Sequence, residues 1–496
     1  MQGFQEKNII GQGVTGGRSE FGNRGARGSF RFGRCLDIHG EFDTLKPQRR
    51  TLIDGNSLQI IDQLPVAIVK DSVYGNIYVF GQYGKIWRKK AGSSTYTLVF
   101  NEDSVPVTTS IIIGGAIEYQ SNSDKFLMWS YGGSAGKLRK ITLANADGTW
   151  SGNVSTAGSL TTYATYEPKV VREAFGAVVI SDKNYLAMYD EADAFNAAAL
   201  ILPPDRTIKD IETRGEKIYI LNQDSHGNGF ITDWDGESDS WISDKKIGGL
   251  FPTIIQQLES GIIAHCDTGN IKYFDFLNVS QYRKINNAYS YYPNAKCMFH
   301  SMQHVGMQGT DGGIYSIGRT NKSDPIAINL EYVVSNEADI VYVKIGSLCV
   351  DTITDTMYIG MEDTNGAGTG TPTYGIFTVS TLKQYAYYQS LEENFGTPNI
   401  EKTLGFVGIT CRPLPTGCSI KLRVRSPGEA WPATYLKTAA GNESVTVGKE
   451  HALFSIGNKR GYSFEFFVEL YATSAGVTYF PEVTAVVAYY KNVSET

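Results

Sequence analysis

The sequence predicts an all-β protein: a seven-bladed β-propeller over residues 63–394, a small C-terminal β-sandwich over 395–496, and an extended N-terminal arm and lead-in over 1–62. Three observations carry this reading. Between residues 66 and 391 one β-rich phrase recurs about seven times. Tyr (30), Phe (23) and Gly (53) are abundant in the 496 residues, which suits pleated surfaces joined by tight hairpins. Helix-length amphipathic stretches are nearly absent, and short helical turns are expected only around DEADAFNAAA, Asp190 to Ala199.

The repeats set the architecture. VAIVKDSVYGNIYVFGQYGKIWRKK, Val66 to Lys90, is the clearest copy; the others begin near Ile111, Lys169, Ile208, Ile254, Cys297 and Val343. Starts roughly 40 to 50 residues apart match four-stranded blades. Six or eight blades, a large sandwich and a β-solenoid are the competing arrangements. No dipeptide recurs at a fixed offset, so the likeness among repeats is one of hydropathy, without a WD40 or kelch signature. Tyr74–Gly75–Asn76, Asp147–Gly148, Gly227–Asn228–Gly229, Asp235–Gly236 and Asp311–Gly312–Gly313 supply turn chemistry between strand-like runs. A Gly/Thr loop, Asp363 to Thr373, interrupts the last repeat.

Upstream, Gly11 to Arg34 interleaves Gly and Arg with Phe, and residues 1–50 carry nine Lys/Arg against five Asp/Glu. Such a composition buries too little apolar surface to order itself. It is expected to be held by a neighbouring subunit or partner chain in an assembly, the alternative being that it lies on its own domain. Arg18, Phe21, Arg24, Arg27, Phe30, Arg31, Phe32 and Arg34 are the candidate partner-binding residues. They also resemble a single-strand nucleic-acid binder, but gripping an acidic neighbour is the preferred reading. Deleting Met1 to Arg34 is expected to leave a folded domain that no longer assembles. Downstream, five runs from Leu404 onward, among them Ser419 to Arg425 and Ser463 to Tyr471, alternate apolar and polar residues as sandwich strands do.

Composition excludes several classes. The start lacks the apolar core of a signal peptide, and no run of 18 apolar residues exists, so no membrane insertion is expected. Six cysteines without a CxxC pair read as free thiols in a reducing cytoplasm; Cys411 and Cys418 are the one pair placed to meet across a hairpin. A net charge of −6 argues neither for nor against a nucleic-acid partner.

Chemistry is sparse. His300 and His304 lie four apart in a β-like context, about 13 Å along a strand, which is too far for one metal. Asp233, Asp235 and Asp239 are weak metal candidates: DWDGESD has the alternating Asp and Gly of a calcium loop, without its helices or closing Glu. Asp147–Gly148–Thr149–Trp150 has part of a sialidase Asp-box but does not recur. GxSxG, HExxH and P-loop motifs are absent from the sequence. No catalytic residue, cofactor or enzymatic activity is therefore expected.

Two phrases carry a resemblance. FGRCLDIHGEFDTLKPQRRTLIDG (Phe32 to Gly55) ahead of degenerate repeats, and RPLPTGCSIKLRVRSPGEAW (Arg412 to Trp431) after them, are similar to propeller-containing tail proteins of tailed bacteriophages, of the nozzle, hub, tail-tip or fibre-attachment kind. The resemblance implies a virion structural protein assembled in the host cytoplasm. It would form a ring with copies of itself, sixfold by the same resemblance. The ring would contact other tail or adaptor proteins and fibres, and DNA only in passage through a channel. The alternatives are a lectin-like glycan binder, with aromatic shelves between blades, and a glycan-cleaving propeller, with paired carboxylates in a central pocket.

Overall fold

The first repeat shows how the sequence makes a blade. Pro65–Lys70, Ile77–Gly81, Lys85–Lys89 and Tyr96–Asn101 pair in chain order, each antiparallel to the one before. The first two strands are covered on both faces, so they read as unbroken apolar runs, whereas the outermost is half wet. Asp71 builds the first turn: its carboxylate accepts the backbone N–H groups of Val73 (3.1 Å), Gly75 (2.9 Å) and Asn76 (3.1 Å), and Gly75 takes φ +71°.

The computed structural model describes residues 4–11, 17–18, 29–38, 44–102, 111–122, 124–133, 136–161, 170–309, 311–319, 326–334, 343–363, 372–383, 385–472 and 479–493. The chain divides into two compact units. One holds Leu52–Gly313 and Val334–Val379; the other holds Met1–Thr51, Ile314–Val333 and Ser380–Thr496.

In the larger unit the four-stranded order of the first repeat recurs at 111–159, 171–201, 207–250 and 252–284. The sixth repeat opens with the hairpin Lys296–Phe299 and Met302–Met307; its second hairpin, Gly313–Gly318 with Ala327–Tyr332, counts with the smaller unit from Ile314 on. The seventh consists of Val343–Asp351, Thr356–Asp363 and Thr373–Lys383, and its fourth strand is Arg49–Ile53, from upstream of the first repeat. The fold is an all-β propeller.

Closure between the last and first repeats is explicit in the residues after that borrowed strand. Asp54 N–H donates to Ile376 O (2.9 Å), and the Ser57 hydroxyl both donates to Ile376 O (3.0 Å) and accepts from Ile376 N–H (3.1 Å). The Asp54 carboxylate then takes Lys89 Nζ (2.6 Å) and the Tyr96 hydroxyl (2.6 Å) of the first blade. Lys70 pairs with Asp351 across the same joint. Blade-to-blade packing is apolar, with Trp87, Trp129 and Trp234 fully buried; the last two donate their indole N–H to Glu102 (2.8 Å) and to Ser238 O (2.7 Å), as buried indoles require.

The smaller unit holds two groups of strands. One runs Gly313–Gly318, Ala327–Tyr332, Phe32–Arg34, Ala386–Gln389, Glu465–Tyr471 and Ser419–Arg425. The other runs Gln5–Asn8, Val483–Asn492, Lys402–Cys411, His451–Gly461 and Lys437–Thr438. Ile420, Leu422 and Val424 line a buried face in the first, and Leu404, Val407 and Ile409 in the second. Phe395 stacks on Tyr490 (4.1 Å) and meets Phe464 (6.0 Å).

Several expectations need correction. Asp190 to Ala199 is not helical: Asp190 caps a turn through the N–H groups of Ala192 and Ala194, and Phe195–Ile201 is a strand whose partner, Tyr185–Tyr189, overrides the alanine-rich composition. One of the five runs expected as strands after Leu404, SVTVGK (Ser444 to Lys449), is loop, and the strand lies just after it at His451–Gly461. Cys411 and Cys418 are buried and not bridged to each other, in line with the thiol reading. Most of the Gly/Thr loop, 364–371, lies outside the described residues. Among the described residues no helix is long and apolar enough to cross a membrane.

Candidate functional site

The innermost strands of all seven repeats converge on one cavity of about 310 Å³ in the larger unit. Ala67, Ala116, Arg172, Glu212, Gln257, Lys296 and Leu348 supply one wall position from each repeat. Charged residues stand here on otherwise apolar strands, and they are tied to each other. Lys296 Nζ donates to Asp210 Oδ2 (2.6 Å), Glu212 Oε2 (3.0 Å) and Ile255 O (2.6 Å). Arg172 donates to Asp210 Oδ1 (3.0 Å) and to Asn294 Oδ1 (2.7 Å). Asn294 Nδ2 in turn donates to Val66 O (2.7 Å) and Gly114 O (2.8 Å), and Asn294 O accepts the N–H of Leu348 (2.9 Å). Two cations face two carboxylates, so the cluster is neutral. Its bonds reach every repeat, and Asp210, with no exposed side-chain surface, is saturated. Asp210 and Glu212 act as braces for the inner strands.

A second concavity, of about 770 Å³, opens between the third and fourth blades. Its walls are the turns between the first and second strands and between the third and fourth strands. The turn joining Val171–Ala174 to Ala177–Asp182 has two residues, Phe175 and Gly176, with φ +52° and +75°. Positive φ at both centres is the type I′ hairpin geometry that favours Asn and Gly, and Phe is a costly choice there. Phe175 is nonetheless 52% exposed, leaning on Gly236 of the next blade. Ala174, Ala177, Met188 and Ile218 line the same cleft, and Glu191, Glu216 and Glu237 stand exposed around it.

The sequence-predicted site residues fall elsewhere. Phe21, Arg24 and Arg27 lie outside the described residues; Arg18 is in the two-residue strand Gly17–Arg18, which pairs in parallel with Ser29–Phe30. The rest of the set packs within its own chain, in the smaller unit, where the preferred expectation was a neighbouring chain. Phe30 is fully buried against Tyr388 (5.8 Å), Arg31 pairs with Glu465 (2.5 Å), and Phe32 lies on Tyr387 (5.4 Å). Arg34 bridges two strands, opposite Leu330 on one side and Tyr387 on the other. The physical reason is backbone pairing, which a composition-based expectation of disorder does not count.

The metal candidates do not converge. Asp233 is bound by Lys217 (2.6 Å) and the Ser243 hydroxyl. Asp235 accepts the N–H groups of Glu237 (3.0 Å) and Ser238 (2.8 Å) with the Ser238 hydroxyl, which holds its carboxyl down at about 2. Among the described residues no group of three His, Cys, Asp or Glu is placed to hold a metal ion. EDTA is therefore expected to leave Tm unchanged in a thermal scan; a fall of several degrees would restore a cation to this loop. His300 sits in a turn at φ +48° and meets Asp355 (2.7 Å), while His304 is buried on the following strand. Sequence reasoning missed Arg172, Asp210, Asn294 and Lys296; charge inside an innermost apolar strand, as in KVVREA and IKDIET, was the available signal.

No protein-family model matches the sequence, and no curated protein matches it. Among solved structures the chain is similar to Chaetomium thermophilum Raptor, at 10% identity and TM-score 0.46, over 68% of this chain and 30% of that one. It is similar to a chain of the mitotic checkpoint complex, at 9% identity and TM-score 0.45, over 68% of this chain and 95% of that one. It is also similar to the WD40 β-propeller domain of Doa1, at 12% identity and TM-score 0.44, over 67% of this chain and 98% of that one. The chain thus spans about a third of the length of the Raptor chain.

Proposed function

We propose that this protein is a structural assembly component with no catalytic role: a propeller scaffold of the tailed-bacteriophage tail kind that its Phe32 to Gly55 and Arg412 to Trp431 phrases resemble. In that role it forms an oligomeric ring or hub in the virion and connects the tail channel to fibres or tip. The observation that supports this reading is the use made of the central cavity. Asp210 and Glu212, the carboxylates at this cavity, are bound by Lys296 and Arg172 and so are held from acid–base work, and together with Asn294 the cluster ties the seven inner strands to one another. A stiff propeller follows, and stiffness suits load-bearing assembly. A glycan-binding propeller is the second reading, favoured by the exposed Phe175 ring between two blades.

Native mass measurement on the full-length chain, alone and mixed with tail proteins of the same virion, tests the proposal. A closed ring or a stable hetero-complex is expected. A monomer that ignores those neighbours would overturn it.

A further inference from the structure

Beyond the scaffold reading, and independently of whether rings form, we infer that the cleft between the third and fourth blades is a docking site for a basic, aromatic-bearing peptide segment of another protein chain. The cleft joins an apolar floor to a carboxylate rim. Its floor is Ala174, Ala177, Met188 and Ile218, and Phe175 forms a half-exposed wall. Its rim has two kinds of acid. Asp190 and Asp235 are spent on capping their own turns. Glu191, Glu216 and Glu237 are solvent-facing, and among the described residues their carboxylates make no hydrogen bond or ion pair.

Charge complementarity selects the occupant. Five carboxylates around one concavity repel each other, and a cationic ligand relieves that repulsion while a neutral one does not. An Arg or Lys beside an aromatic side chain satisfies both halves of the cleft, because the cation meets the rim and, over Phe175, a ring face. The volume, about 770 Å³, admits a few side chains of an extended segment. The same end of the larger unit offers further apolar anchors. In a four-stranded meander the first and third turns share one end, and Tyr74, Leu277 and Ile353 occupy such turns at 43%, 78% and 85% exposure. Phe175 itself argues for selection on something other than stability, since its turn would be better served by Asn or Gly.

The test is fluorescence anisotropy of a short labelled peptide of Gly, Arg and Phe, titrated with the full-length protein. Saturable binding that weakens with salt is expected, with no binding of the same peptide carrying Glu for Arg. Glu216→Gln with Glu237→Gln should weaken binding about tenfold and flatten its salt dependence. Phe175→Asn should weaken it by a similar factor, about tenfold, while Tm holds or rises, because Asn tolerates the left-handed turn. Unchanged affinity in both variants would overturn the proposal. So would a neutral oligosaccharide that binds in a Phe175-dependent way and displaces the peptide.

Discussion

Lys296→Met is expected to lower the free energy of unfolding by about 2–4 kcal/mol. Lys296 is 9% exposed at its side chain, and its ammonium ties its own sixth repeat to the fourth, through Asp210 and Glu212, and to the fifth, through Ile255 O. Methionine keeps the length of the stem but leaves Asp210 Oδ2 with only the N–H of Ile255, at 3.0 Å. The loss falls short of that for a fully orphaned charge because Arg172 still holds Oδ1. Adding Asp210→Asn to Lys296→Met should return about 1 kcal/mol or more, since it removes the buried charge that the first change left under-paired. Urea unfolding of the four proteins forms a double-mutant cycle. A single-variant loss below about 0.5 kcal/mol, in the range of exposed pairs, would show that the hub is not a brace.

Removing the N-terminal arm is expected to do more than abolish assembly. Phe30→Ala alone should cost about 3–4 kcal/mol, the range for emptying a fully buried aromatic site. The ring is unexposed, set against Tyr388, and packed so closely on Gly33 that a Cβ there would come within 2.7 Å of it. Phe30→Leu, closer in volume, should cost less than half as much. Deleting Met1 to Arg34 goes further, because Phe32–Arg34 lies between Ala327–Tyr332 and Ala386–Gln389 and hydrogen-bonds to both sides. Two strand edges would open together, and open edges template aggregation. The truncated chain should be recovered chiefly as aggregate in size-exclusion chromatography. A soluble, monodisperse truncation with unchanged Tm would show that these strands are dispensable and return the arm to a role at a neighbour.

The blades were legible in the sequence because what makes a blade is local. Inner strands covered on both faces read as apolar runs, and Gly75, Gly227 and Gly236 mark turns that need positive φ. The hub was not legible. Arg172 and Asn294 are 122 residues apart, and Asn294 and Val66 are 228 apart, so nothing in the spacing announces that they touch. The cleft was half visible: DWDGESD stands out for its acids, though only as a weak metal candidate, while its partner, Phe175, sits about sixty residues away in a different blade. The arm was illegible for a third reason. Gly and Arg dominate its average, whereas among the described residues Phe30 is buried and Phe32–Arg34 pairs through its backbone, which composition does not record.

The strand Arg49–Ile53 has a consequence for how the chain is born. It leaves the ribosome before any blade, yet the sheet it completes ends with Thr373–Lys383, roughly 320 residues later. At ordinary rates of synthesis, on the order of tens of seconds separate the two. Throughout that interval the nascent chain carries a strand without its sheet, while the blades after it form and stack as an open arc. Translation speed and chaperone access during that window are then expected to affect how much of the newly made protein closes its last blade.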